Sequence, residues 1–158
     1  MKGIRQIMLY ALFKFVHVAS VIVWVGSMLT LTVLGARSAR ERDPAGAAAL
    51  GRAAGFFGQN VAGPAAGLAL LAGVAGMVTG RLAITSLWIL WGFAALLLSA
   101  GMGATVQRRA GERLGRLLAT AGPEDPGVPE ARRRMARLNW INLLILTSAV
   151  FVMVAKPA

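Results

Sequence analysis

The sequence predicts an all-α polytopic membrane protein, with four transmembrane helices in an antiparallel bundle and both termini on the outer side. Three observations predict it. Of 158 residues, 57% are hydrophobic and only 15% charged, against roughly 25% charged in an ordinary soluble domain. The apolar surplus is gathered into four blocks, each near the roughly 20 residues that a helix needs to cross a bilayer core. The cations are distributed unevenly. Segments 35–58 and 107–137 hold Arg37, Arg40, Arg42, Arg52, Arg108, Arg109, Arg113, Arg116, Arg132, Arg133, Arg134 and Arg137, while the other side holds only Lys2, Arg5, Lys14, Arg81 and Lys156. By the positive-inside rule both arginine-rich segments are cytoplasmic loops. Residues 1–158 read as a single transmembrane domain.

The first helix is predicted over about 8–34. A cleaved signal peptide would have an apolar region of only about 7–15 residues, and this block is longer. Tyr10 and Lys14 stand where an interface anchor and a snorkelling lysine are expected. Loop 35–58 follows, with Asp43-Pro44 marking a turn or a helix start. The second helix, about 59–79, is built from small residues. Gly63-x-x-x-Gly67 and Gly76-x-x-x-Gly80 suit close backbone approach, either at the bundle centre or on a dimer face, and Pro64 is placed near the helix start, where a missing N–H costs least.

The short link through Gly80 and Arg81 makes the second and third helices (about 59–79 and 83–106) a hairpin, with Trp88 and Trp91 in an aromatic belt. In loop 107–137, residues 108–119 read as a basic amphipathic helix lying in the membrane interface, interrupted by the Gly/Pro-rich stretch 122–129. The fourth helix spans about 138–155.

Several function classes are excluded. All six carboxylates (Glu41, Asp43, Glu112, Glu124, Asp125 and Glu130) lie in the two loops, so an intramembrane carboxylate relay or a paired-carboxylate hydrolase has no residues to use. The absence of cysteine removes thiolate metal sites and cysteine nucleophiles. The net charge of +11 fits anionic lipid headgroups at the basic loops rather than nucleic acid.

What remains is the first helix, which carries a lysine and the one histidine of the chain. Lys14, His17, Val21, Trp24 and Met28 fall on one face at helical spacing, and ionisable groups at such depth are functional candidates by default. A neutral imidazole can be an axial haem ligand, in a five-coordinate site or in a bis-His site across a homodimer. Lys14 can pair with a haem propionate. His17 with Met28, Met77 or Met102 can instead offer soft ligands to Cu(I). The third reading is structural: His17 hydrogen-bonds to Asn139, Asn142 or Ser148 of a neighbouring helix.

The stretch Phe15-Val-His17-Val-Ala-Ser-Val-Ile-Val-Trp24-Val-Gly26, with the arginine-rich loop and Gly/Pro-rich helix after it, resembles a bacterial family of four-helix integral membrane proteins of unknown function. That family is similar to the copper-resistance protein D and membrane protoporphyrinogen oxidase J groups. The resemblance implies a bacterial inner-membrane location and a haem ligand at His17; Lys14 and Trp24, on the same helix face, are the other candidate cofactor-binding residues. The oxidase group also uses a lysine in a later helix, and the third helix here has none. The copper group implies copper import, although the further His and Met positions expected there are not evident in this sequence; the candidate copper ligands, read from the residues themselves, are His17 and Met28. The expectation is therefore a membrane protein that binds haem b or a similar redox cofactor through His17. The alternatives are a copper-handling or permease-like protein and a structural membrane subunit without ligand.

Overall fold

The computed structural model describes residues 2–41 and 43–156; Arg42, one of the basic loop residues, lies outside them. The described chain is helical. It comprises α1 (Lys2–Arg40), α2 (Pro44–Phe57), α3 (Gly63–Thr79), α4 (Leu87–Met102), α5 (Arg108–Thr120) and α6 (Gly127–Ala155). Among the described residues four helical stretches are long and apolar enough to cross a membrane: Gly3–Ser38, Ala48–Thr79, Leu87–Thr120 and Gly127–Ala155.

These helices overrun the expected bounds, and the loops between them shrink. Asp43 caps α2 by accepting hydrogen bonds from the amides of Ala45 at 3.2 Å and Gly46 at 2.8 Å, two of the orphan donors of a helix start. From there the helix runs through to Thr79. Pro64 is thus inside the helix rather than near its start. The chain accommodates it through a π-turn over Gly58–Ala62, where the Gly63 amide bonds to the Gly58 carbonyl. Widening the ladder just ahead of a proline relieves the clash of its ring with the preceding turn, and such turns recur where helices are interrupted. A second π-turn, Gly103–Gln107, joins α4 to α5.

Helix α1 packs most extensively on α3, and α4 on α6, while α1 also meets α6. The α1–α3 seam follows the glycines of α3. Gly80 lies against the Tyr10 ring, Gly76 against Phe13 and Lys14, and Gly73 against His17. Gly63 and Gly67, by contrast, are exposed. The expected hairpin of the second and third helices does not form: among the described residues α3 and α4 do not pack along their length. The connection 80–86 is long enough to part them, and Gly73 and Gly76 of α3 are taken up against α1.

The expectation of a separate interfacial helix over 108–119 is also corrected. Helix α5 does not lie alone in the interface; it continues α4 and packs on α6. The stretch Leu87–Thr120 has 34 residues, about 51 Å at 1.5 Å per residue, well beyond a hydrocarbon core of roughly 30 Å. Its apolar stripe is covered by α6, with Ala110, Val128 and Ala131 buried and Gly111 against Met135. The turn between them is held by Asp125, which accepts from the Gly127 amide at 2.7 Å.

Val128 is only 2% exposed. Val128→Asp is expected to open this helical arm, because an unpaired buried charge costs about 3 kcal/mol or more. Trypsin should then cut at Arg113 and Arg116 far faster than in the wild type; equal digestion rates would mean that the arm is not a packed pair.

Candidate functional site

The site grows from the α1–α3 seam. His17 is half-buried, and its Nδ1 lies 2.7 Å from the backbone carbonyl of Ala69 on α3. A carbonyl oxygen can only accept, so in the neutral ring the proton is on Nδ1 and the lone pair on Nε2. No group among the described residues bonds to Nε2. The contact exists because Gly73 has no side chain: a Cβ there would stand 2.9 Å from Nδ1 and 3.1 Å from Cε1 of the imidazole. Ala69 itself is 1% exposed, so no solvent competes for its carbonyl.

His17 lines a cavity of about 480 Å³, within the roughly 300–1,000 Å³ of small-molecule sites. The cavity occupies the space left between the α1–α3 and α4–α6 pairs, and its walls are overwhelmingly apolar. Trp24, Leu146 and Leu96 form its inner end, where Trp24 (7% exposed) joins the core cluster with Ala62, Ala65 and Ala69. At the other end stand Tyr10, Lys14, Trp88 and Lys156. Lys156 Nζ lies 5.6 Å from the Trp88 ring centroid, a cation–π distance. Lys156 also has left-handed backbone (φ 44°) just past the end of α6, where glycine is the usual occupant. An apolar chamber with two cations at one end suits an amphiphile with an anionic edge.

Of the expected site residues, the fold brings Lys14, His17 and Trp24 to one cavity. It does not bring Met28 there. Met28 is eleven residues along α1 from His17, about 16 Å at helical rise, and its sulfur accepts from Asn142 Nδ2 at 3.4 Å. The two cannot ligate one copper ion. Among the described residues no three His, Cys, Asp or Glu side chains cluster to hold a metal. The polar partners expected for a structural histidine are engaged elsewhere. Asn139 accepts from Gln107 at 3.1 Å, and Ser148 accepts from Trp91 Nε1 at 3.2 Å. His17 takes a main-chain partner instead. Sequence reasoning missed Gly73, Lys156 and Met153 as cavity residues. Lys156 carried a faint signal, as a lone cation after an apolar helix, whereas nothing in the sequence says which glycine faces the histidine.

Fold and cavity define a multi-pass helical membrane protein with an apolar chamber inside its span. The chain belongs to the family described as predicted integral membrane protein (DUF2269), which matches residues 11–157. No curated protein and no solved structure matches the chain.

The Gly73–His17 pair is open to a double-mutant cycle. Gly73→Ala should destabilise the protein when His17 is present. With His17→Ala it should be neutral or stabilising, since alanine is the better helix former. The coupling expected from thermal unfolding in detergent is about 1–2 kcal/mol, the range for groups in direct contact; additive effects would mean that the imidazole does not depend on the gap at Gly73.

Proposed function

We propose that this is an inner-membrane haem b protein of a bacterium, an antiparallel four-helix bundle with both termini outside. The observation that carries the reading is the imidazole whose Nδ1–H is committed to the Ala69 carbonyl, leaving the Nε2 lone pair as a ligand on the wall of an apolar chamber. A histidine oriented by a second hydrogen bond is the usual arrangement of a metal-bound imidazole. Lys14 and Lys156 supply positive charge at the chamber's outer end for two propionates, with Tyr10 and Trp88 as interface anchors. Trp24 and Leu146 close the inner end and exclude water, which favours a flat apolar macrocycle. Bound there, haem supplies one-electron redox chemistry whose potential the ligand and the apolar walls tune.

Membrane orientation follows from the arginines of α5 and the start of α6, which lie on the cytoplasmic side and meet anionic headgroups where the helical arm leaves the bilayer. An alkaline phosphatase fused after Lys156 should be active outside the cytoplasm, and one inserted at 122–126 inactive; the reverse pattern would invert the topology.

The protein purified in detergent, or supplied with haem, should show a Soret band that sharpens on reduction. His17→Ala should abolish it. The pair Lys14→Gln and Lys156→Gln should keep the band but weaken haem retention roughly tenfold, as expected for lost charge-assisted contacts of about 1.4 kcal/mol. A wild type that stays colourless after haem is added would refute the reading.

A further inference from the structure

We propose that Met153 would hold haem iron together with His17, so that one chain supplies both ligands; this rests on the haem reading above. The observation is the register between α1 and α6. Met28 meets Asn142 directly, and Trp24 shares a core cluster with Leu146. Four residues back along α1 therefore correspond to four residues forward along α6. Continuing two turns in the same register, seven residues from Trp24 is His17 and seven residues from Leu146 is Met153. A further three residues pair Lys14 with Lys156. In that register His17 and Met153 fall level on α1 and α6, and the two lysines fall level one turn further on. All four line the same cavity.

The placement of Met153 has its own local cause. Its terminal methyl fills the space that a Cβ on Gly92 would need, so α4 is hollowed where this side chain crosses from α6. A thioether is a soft, neutral donor: it ligates through a sulfur lone pair, with no proton to lose and no change in oxidation state. The other cavity thioether, Met77, lies on α3, the helix that already holds His17 by the Ala69 carbonyl. It is on the histidine's side of the chamber and not across from it. His/Met ligation raises the reduction potential of a haem relative to histidine alone. The chain's role would then be electron transfer at relatively high potential, with no vacant iron position for a substrate and no need of a second copy to supply a ligand.

The test is optical and magnetic spectroscopy of the haem-loaded full chain. The wild type should be low-spin, with the weak far-red band of a thioether bound to ferric iron. Met153→Leu should keep its Soret band, lose the far-red band, become high-spin when oxidised and fall in midpoint potential. Met153→His should be low-spin again without the far-red band, and Met77→Leu should match the wild type. Low-spin haem unchanged in Met153→Leu, or a far-red band lost in Met77→Leu instead, would overturn the assignment, as would a high-spin wild type. Should Met153→Leu lose haem altogether, Met153→His decides: low-spin haem supports the assignment and a haem-free protein overturns it. A wild type with no Soret band fails the haem reading itself, and is seen as such before any variant is compared.

Discussion

The close approach of α1 to α3 is the constraint on which the rest of the molecule depends. Two glycines of α3, Gly73 and Gly76, and the Gly80 that caps it remove the side chains that would hold the backbones apart, and His17, Phe13 and Tyr10 fill the space. In water an imidazole beside a main-chain carbonyl would exchange partners with solvent. In the span of a membrane there is none to exchange with, and an unpaired polar group there is costly. The hydrogen bond from His17 to Ala69 is therefore both a clamp between two helices and the device that decides which ring nitrogen remains free.

The same seam explains the cavity. α3 closes on α1 along Gly73 and Gly76, and α4 finds its partner in α6. Two helix pairs meet at the Trp24 and Leu146 end and diverge towards the Lys14 and Lys156 end. The resulting chamber is apolar along its length and cationic at the Lys14 and Lys156 end, a distribution of chemistry that suits a molecule with a greasy body and acidic groups on one edge. On the opposite side of the span the polar residues are consumed in structure. Asn142 is 2% exposed and donates its Nδ2 to the Met28 sulfur, while its buried Oδ1 has no hydrogen-bond partner among the described residues; Asn139 binds Gln107, and the helical arm of α5 and α6 buries its own apolar stripe.

Much was legible in the sequence because the bilayer makes it so. Hydrophobic blocks long enough to span, arginines in two segments and a histidine with a lysine one turn away are statements about single helices, and helical periodicity alone puts Lys14, His17 and Trp24 on one face. Helix ends were harder to read. Pro64 and the polar run after Val106 look like boundaries, yet π-turns at Gly58–Ala62 and Gly103–Gln107 carry the helix through both places. A local signal for interruption was overridden by packing against α1 and α6.

By itself, then, the sequence determined the class of protein, the number of apolar spans and the helix that carries the ionisable candidates, since each depends on composition and spacing within one segment. Only the tertiary structure decided which helices are neighbours, that the Met28 sulfur is met by Asn142 of α6, and that Gly73, Met153 and Lys156 share the cavity of His17. Those facts depend on register between segments far apart in the chain. Register is set by which glycine meets which ring, and no single helix contains that information.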